Sequence, residues 1–367
     1  MALSKQKVSA CYLVTGFPNY LAARMFVRIA QAQPRSQIFL IVQPKFIDQA
    51  RRYIDHVRSA SVKLIAGDVA DMHLGLSGDE YRLLCRHVTD IFHLAGVSYL
   101  GVPEIEMHRV NVEGTANVLE LAKSCTRLQR LNYFSTSYVS GDRVGVIAED
   151  ELDLGQRFRN AFERTKYLAE KKVEYAKATL PVTIFRPSTL IGDSQTGQID
   201  RFQGPYYLGI LLVTSPLGTP LPLPEHGVAP LHVVPVDFVV EAAWSIARDK
   251  RSVGKTFHLV DPSPMSARRV YQLVANQVDK HLPKFSFSVR AAELLLSIPF
   301  FERLLRPQRA ALDYTHHWAI YNCINTLELL EGTGIRCPPL VSYLDKLVDY
   351  VQEYYRQRRA LASDASN

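Results

Sequence analysis

The sequence predicts an α/β protein: a doubly wound parallel sheet with a smaller, mostly helical C-terminal lobe. Three observations carry that expectation. Apolar strand-like runs and helical patterns alternate five times over roughly the first 130 residues, the pattern of successive βαβ units. From Gly192 the texture changes to irregularly spaced Gly, Pro and Tyr, followed by helix-like stretches. The 367 residues, 47% hydrophobic and 22% charged, suffice for one large α/β domain with an appended lobe.

The elements follow in order. Ala10 to Met25, ACYLVTGFPNYLAARM, reads as strand, tight turn and helix, with the turn marked by Gly16 and Pro18. Such a unit opens a Rossmann-type dinucleotide-binding domain, where backbone N–H groups and a helix N-terminus meet a pyrophosphate. Gln37 to Val42 is a continuous apolar run, as a buried parallel strand requires. Its end bears on the cofactor. An acidic residue there would hold a ribose 2′-hydroxyl, whereas Gln43 is neutral and Lys45 follows, which suits a 2′-phosphate and hence NADP(H) over NAD(H). Val62 to Ala66 makes the third strand, running into Gly67, Asp68 and Val69, and Asp90 to Ala95 makes the fourth, ending at Gly96. Glu104 to Cys125 has apolar residues at helical spacing. Arg130 to Phe134 is the fifth strand, Val182 to Phe185 the sixth, and Thr256 to Val260 fits a seventh.

The NADP-binding Rossmann domain is accordingly placed at residues 8–190, completed by about 232–262. Residues 191–231 and 263–358 form the substrate lobe, and 359–367 a disordered tail. Pro235 to Asp249 reads as a helix returning to the cofactor domain, and Ser266 to Lys280, Ala291 to Leu305 and Tyr343 to Arg358 as helices of the lobe. Phe202 to Pro224 is uncharged and long enough to span a membrane, but its five prolines would break a helix repeatedly, so no transmembrane segment is expected.

Composition narrows the partners. A net charge of +7 favours anionic ones: phosphorylated cofactors, coenzyme A or an acidic carrier protein. Lys and Arg are scattered rather than clustered, so no nucleic-acid partner is expected. The five cysteines lack C-x-x-C spacing and the N-terminus MALSKQKVSA lacks an apolar signal core, which together point to a reduced, cytoplasmic protein. A homodimer is left open.

Two further stretches carry chemistry: NYFSTSYVSG, Asn132 to Gly141, and NAFERTKYLAE, Asn160 to Glu170. With TGFPNYLA, GDV, FHLAG, NVEGTANVL and RPSTLIGDS, they run in order across residues 10–260 and resemble the extended short-chain dehydrogenase/reductase family. The likeness is greatest to its thioester-reductase and fatty acyl-CoA reductase branch. That resemblance implies a site in which a Ser or Thr ending the fifth strand holds the substrate oxygen. A Tyr then protonates it, and a Lys four residues on lowers the Tyr pKa and holds the nicotinamide ribose. The spacing has a physical basis, since residues i and i+4 share one helix face.

On this chain Thr136 matches the hydroxyl and Lys166 the lysine, while Phe162 occupies the tyrosine's place. Losing a general acid typically costs roughly 10²–10⁴-fold in rate. Tyr167 lies five residues from Phe162 and so points roughly 140° around the helix. Tyr99, Tyr138, Tyr206 and Tyr207 are the other phenols that loops could bring in. The resemblance further places Thr15, Gly16, Phe17, Pro18 and Asn19 of the turn against NADP(H). It adds Gln43 and Lys45, Asp68 and Val69, Ala95 and Gly96, Lys166 and Pro187.

The family fingerprint T-G-x-x-G-x-x-G is altered, with Asn19 and Ala22 in place of its later glycines. The position of Asn19 calls for a positive φ or for room beside a phosphate, and Asn supplies the first more readily than the second. Asn111 resembles the family's helix asparagine, a structural residue, and His93 reads as a packed strand histidine.

Other chemistries fit less well. There is no G-x-S-x-G elbow, Gly254-Lys255-Thr256 lacks the first glycine of a phosphate loop, and His316-His317 would diverge on a helix, so no metal site is expected. Two readings stand. One is an NADPH-dependent reductase of a fatty acyl or carrier-bound thioester. The other is a fold-retaining protein without hydride transfer, acting as a nucleotide-binding or regulatory module or in a non-redox step.

Overall fold

The computed structural model describes residues 10–55, 57, 61–99, 101–199, 227–279 and 317–364. The expectations for Phe202 to Pro224, Tyr206, Tyr207, Ala291 to Leu305 and His316 lie outside these residues.

Seven strands of the described chain form one parallel sheet. They are β1 (Cys11–Thr15), β2 (Gln37–Val42), β3 (Ser61–Ala66), β4 (Asp90–His93), β5 (Arg130–Phe134), β7 (Val182–Pro187) and β10 (Thr256–Leu259). Their spatial order is β10-β7-β5-β4-β1-β2-β3. All pairings are parallel, and β1 is flanked by β2 (Leu13 opposite Phe39) and by β4 (Leu13 opposite Ile91). The continuous apolar runs are explained by this: central strands are covered on both faces, so no alternation with polar residues is needed.

Helices cover the two faces. On one side α1 (Tyr20–Ala32) and α7 (Val236–Arg248) bury Met25, Phe26, Ile29, Val239 and Trp244 against Val14, Leu40 and Phe92. On the other side, Val118 and Leu121 of α5 (Gly114–Ser124) and Ala169 and Val173 of α6 (Ala161–Ala176) pack on Leu13, Ile91 and Tyr133. The peripheral helices are α2 (Ile47–Ile54), α3 (Gly78–His87) and α4 (Glu104–His108). A separate core supports the lobe, where Val270 and Val274 of α8 (Ala267–Gln277) meet Leu344, Leu347 and Val351 of α10 (Leu344–Asp364).

Several details depart from the sequence reading. The helical stretch from Glu104 is not one helix: α4 and α5 are joined by a π-helical turn, Arg109–Glu113, that turns Asn111 inward. A widened turn of this kind often marks a functional site. Two small parallel pairs, β6 (Gly145–Ile147) with β11 (Ala319–Tyr321) and β8 (Thr189–Ile191) with β9 (Val233–Pro235), are too short for periodicity to reveal, as is α9 (Ile324–Leu330). Residues 359–364, expected in a disordered tail, continue α10, for Ala360, Leu361 and Ala362 are strong helix formers that extend a helix already docked on the lobe. No helix among the described residues is long and apolar enough to cross a membrane.

Candidate active site

Strand order reverses between β1 and β4, and at such a point the loops leaving the two strands diverge and open a crevice at their C-terminal ends. The loop after β1 is forced to be tight. Gly16 has φ +87°, and a Cβ there would lie 2.6 Å from the Leu94 carbonyl carbon and the Ala95 nitrogen. Only glycine allows the β1 turn to sit this close to the β4 loop.

Asn19 behaves differently from the expectation of a positive φ. It adopts φ −61°, ψ 158° and is the N-cap of α1, its Oδ1 accepting from Ala22 N at 2.8 Å. Its Nδ2 donates to the Leu94 carbonyl at 3.1 Å. The left-handed conformation is carried by Gly16 alone within this turn. Asn19 therefore uses one helix N-terminal donor that a phosphate would otherwise meet.

The remaining residues expected around a nucleotide divide by exposure. Lys45 is exposed after β2, its ammonium 5.0 Å from the Phe46 ring. Gln43 Nε2 donates to Asp68 at 2.8 Å, and the other Asp68 oxygen accepts from Ala70 N. Phe17 turns its ring into the core, edge-on to Phe26 and Tyr53, and Val69 is buried against the site of Gly114. These two side chains shape the walls from behind.

A chain of buried hydrogen bonds joins the first turn to α6. Ala95 N donates to Thr15 Oγ1, which contacts His93 Nδ1 at 2.7 Å, and His93 Nε2 contacts Thr115 Oγ1 at 3.1 Å. Thr115 donates to the Asn111 carbonyl. That bond makes Thr115 Oγ1 the acceptor from His93 Nε2–H, so Nδ1 accepts from Thr15. Asn111 in turn pairs with both backbone groups of Val97 and donates to Thr165 Oγ1 at 2.9 Å. The histidine is neutral by construction: burial, with the Lys166 charge adding to it, pushes its pKa down to about 3. His93 and Asn111, read as packing residues, thus also set the β4 loop and α6 relative to the turn.

At the end of β5, Thr136 Oγ1 donates to the Pro187 carbonyl and accepts from Tyr138 N, both at 3.4 Å, the weak end of hydrogen bonding. Its hydroxyl can exchange these for a ligand at small cost. Beside it Ser188 Oγ is buried with no hydrogen-bond partner among the described residues. Lys166 Nζ donates to the Phe134 carbonyl at 2.7 Å, sits 4.6 Å from the Tyr133 ring, and would be 4.0 Å from a Cβ on Gly96. Lys166 and Gly96 thus meet at one end of the crevice, and Thr136 follows Phe134, the partner of Lys166, by two residues.

Of the tyrosines named from the sequence, those among the described residues do not replace the phenol absent at Phe162. Tyr167 OH donates to Asp153 at 2.6 Å, outward from the sheet as the helix geometry requires. Tyr138 OH is engaged with Thr189 Oγ1 at 2.7 Å, and burial pushes its pKa well up. Tyr99 is half exposed in the β4 loop.

Residues 14–243 match the family model described as "Male sterility protein", an NAD-binding family. The chain belongs to this family. It is an extended short-chain dehydrogenase/reductase, similar to fatty acyl-CoA reductases and to reductase domains of nonribosomal peptide synthetases. A nonribosomal peptide synthetase, asaC, of Aspergillus flavus is 32% identical over 301 residues, covering 74% of this chain and 28% of that protein. The fatty acyl-CoA reductase wat of Drosophila melanogaster is 26% identical over 293 residues, covering 67% of this chain and 56% of that protein. The chain thus spans little more than a quarter of the synthetase and a little over half of the reductase. Among solved structures, the terminal R domain of the myxalamid PKS-NRPS pathway superposes with a TM-score of 0.79 at 23% identity, covering 97% of this chain and 94% of that one.

The family pattern did not reveal the support beneath Lys166. Glu170 and Arg186 form a fully buried ion pair at 2.5 Å, and Arg186 also reaches His258 Nε2 and the Glu149 carbonyl. A signal was present: Glu170 lies four residues after Lys166, on the same helix face.

Proposed function

We propose that this family member is an NADP(H)-dependent reductase of an acyl thioester, held on coenzyme A or on a carrier protein, with an aldehyde or alcohol as product. The observation that supports the reading is a buried Lys166 ammonium that donates to the Phe134 carbonyl beside exposed Gly96, with the weakly bonded Thr136 hydroxyl two residues on.

The residues present fit a dinucleotide. The Gly16 turn brings backbone close to the β4 loop, Gly96 leaves space that a side chain would fill, and Ser188 keeps a buried hydroxyl in reserve. Thr15, Gly16 and the α1 N-terminus would hold the pyrophosphate, with Phe17, Pro18 and Asn19 forming the turn. Gln43 and exposed Lys45 would meet a 2′-phosphate, Asp68 and Val69 the adenine side, and Ala95, Gly96, Lys166 and Pro187 the nicotinamide side. When bound in reduced form the dinucleotide supplies hydride. The chain's own part is to hold the substrate oxygen through Thr136 and to exclude water from a site walled by Phe162 and the β5 end. A basic balance and relatives named for acyl-CoA reduction and peptide synthesis support an acyl group on an anionic carrier.

Asn19 favours a second reading, a family member without hydride transfer, because its side chain already satisfies Ala22 N and ties the crevice walls together. Thermal shift with NADPH and NADH, followed by NADPH oxidation with a chain-length series of acyl-CoAs, separates the two. A reductase shows saturable stabilisation, larger with NADPH, and acyl-dependent oxidation that Thr136→Ala abolishes. A protein that does not oxidise NADPH with any acyl-CoA, whether or not it binds the dinucleotide, follows the second reading.

A further inference from the structure

The position of Phe162 leaves the proposed reduction without its usual proton donor, and the geometry of α6 supplies another. We propose that Lys166 is itself the general acid, delivering a proton to the substrate oxygen that Thr136 holds, across at most one bridging water. This rests on the reductase reading above.

Phe162 and Lys166 stand four residues apart on α6 and so share one helix face, the face from which the family's phenol would act. The ammonium is buried and has one acceptor among the described residues, the Phe134 carbonyl at 2.7 Å. Beyond this carbonyl and the Tyr133 ring 4.6 Å away, the ammonium has N–H bonds left for a ligand oxygen. Its Nζ lies 4.0 Å from the Cβ position of Gly96, which places those bonds at the crevice rather than in the core.

The charged and titratable groups around it set its strength. Burial lowers the Lys166 pKa to about 8, with Glu170 on α6 partly opposing. His93 on β4 is neutral and Tyr133 on β5 is held un-ionised by burial, so neither puts a charge beside the ammonium. Glu170 is largely committed to Arg186 on β7. An acid in this range is protonated at neutral pH yet releases its proton readily, which is where general acids are most effective.

The step balances. Hydride reduces the thioester carbonyl carbon as the dinucleotide is oxidised, the C=O π pair moves to oxygen, and the C–S bond stays intact in the hemithioacetal formed. The aldehyde follows when that bond breaks and the carrier leaves as its thiol. One Lys166 N–H bond breaks as the O–H bond forms, and the neutral amine left behind regains a proton from solvent. Lys166 is then a donor in its own right rather than an assistant to a tyrosine.

Two measurements on the full chain decide it. Competitive acetylation at a series of pH values, with peptide mapping, is expected to give Lys166 a midpoint near pH 8, well below the roughly 10.4 of an ordinary lysine. Turnover is compared for the parent, Lys166→Arg, Phe162→Tyr and the double variant. Arginine keeps the charge that would hold a ribose but does not release its proton, so Lys166→Arg is expected to lose about 10²-fold or more in the parent. In the Phe162→Tyr background, where a phenol can donate, the same change should cost under tenfold by that reasoning. Equal losses in both backgrounds, or a Lys166 midpoint with the ordinary lysines, overturn the proposal while leaving the reductase reading intact. A parent without turnover at any pH removes the reductase reading, and this proposal with it.

Discussion

The Asn19 side chain ties the two walls of the nucleotide crevice together, donating to the Leu94 carbonyl at 3.1 Å while its other end caps α1 through Ala22 N. At a position that the family pattern would fill with glycine, Asn19 straps the β1 turn to the β4 loop.

Asn19→Gly should therefore tighten NADPH binding. The phosphate no longer competes for the Ala22 N–H, a gain of about one hydrogen bond, or 3–10-fold in Kd. The cap and the strap are lost together, and the fold should weaken by about 1 kcal/mol. Calorimetric titration and thermal melts read both. An unchanged Kd would mean that Asn19 does not contest the phosphate.

Gly16→Ala tests the close approach itself. A methyl at 2.6 Å from the Leu94 and Ala95 backbone, at φ +87°, must push the β4 loop away. Backbone strain and overpacking together should cost about 2–5 kcal/mol by denaturant unfolding. A loss below about 1 kcal/mol would show the turn to be looser than the structure describes it.

The Glu170–Arg186 pair holds the base of α6 against β7 with both side chains fully buried. Arg186→Met leaves Glu170 with an uncompensated buried charge and should cost about 3–5 kcal/mol, most of it regained when Glu170 is also made apolar. Urea unfolding of the single and double variants measures this. Additive losses would argue against the pairing.

Acid sensitivity follows from two buried histidines. Burial, reinforced by Lys166 and Arg186 respectively, pushes His93 and His258 down to about 3. Above pH 6.5 both are neutral whether folded or unfolded, and their contribution is complete. As pH falls from 6.5 toward 3 the unfolded chain takes up protons that the folded one refuses, so stability drops. Each should cost about 2 kcal/mol between pH 6.5 and 5. His258→Gln should lose that much less than the parent over the same interval, read from unfolding curves at each pH. Parallel pH dependence of the two proteins would contradict it.

How far the sequence carries depends on the kind of interaction. The strand Gln37–Val42 is legible to the residue because buried parallel strands read as near-continuous apolar runs, and Arg130–Phe134 keeps the same bounds although Arg130 and Asn132 are polar. The π-helical turn at Arg109–Glu113 is not, since helical spacing is nearly the same on either side of it. Phe17 reads as a nucleotide contact by its place in the motif, yet its ring joins the core, because a motif position does not say which way a side chain turns. Order and spacing put Thr136 just past β5 and Lys166 on α6, which is where they lie. The strap made by Asn19 was not legible, for it depends on the Leu94 carbonyl 75 residues away.

The most direct test is to follow the hydride. NADPH deuterated at its transferable position is incubated with the full chain and acyl-CoA, and the product aldehyde or alcohol is weighed by mass spectrometry. The reductase account requires deuterium on the former carbonyl carbon, in an amount matching the NADPH oxidised and absent with Thr136→Ala. Unlabelled product, or NADPH bound and left unoxidised across the acyl series, would contradict it.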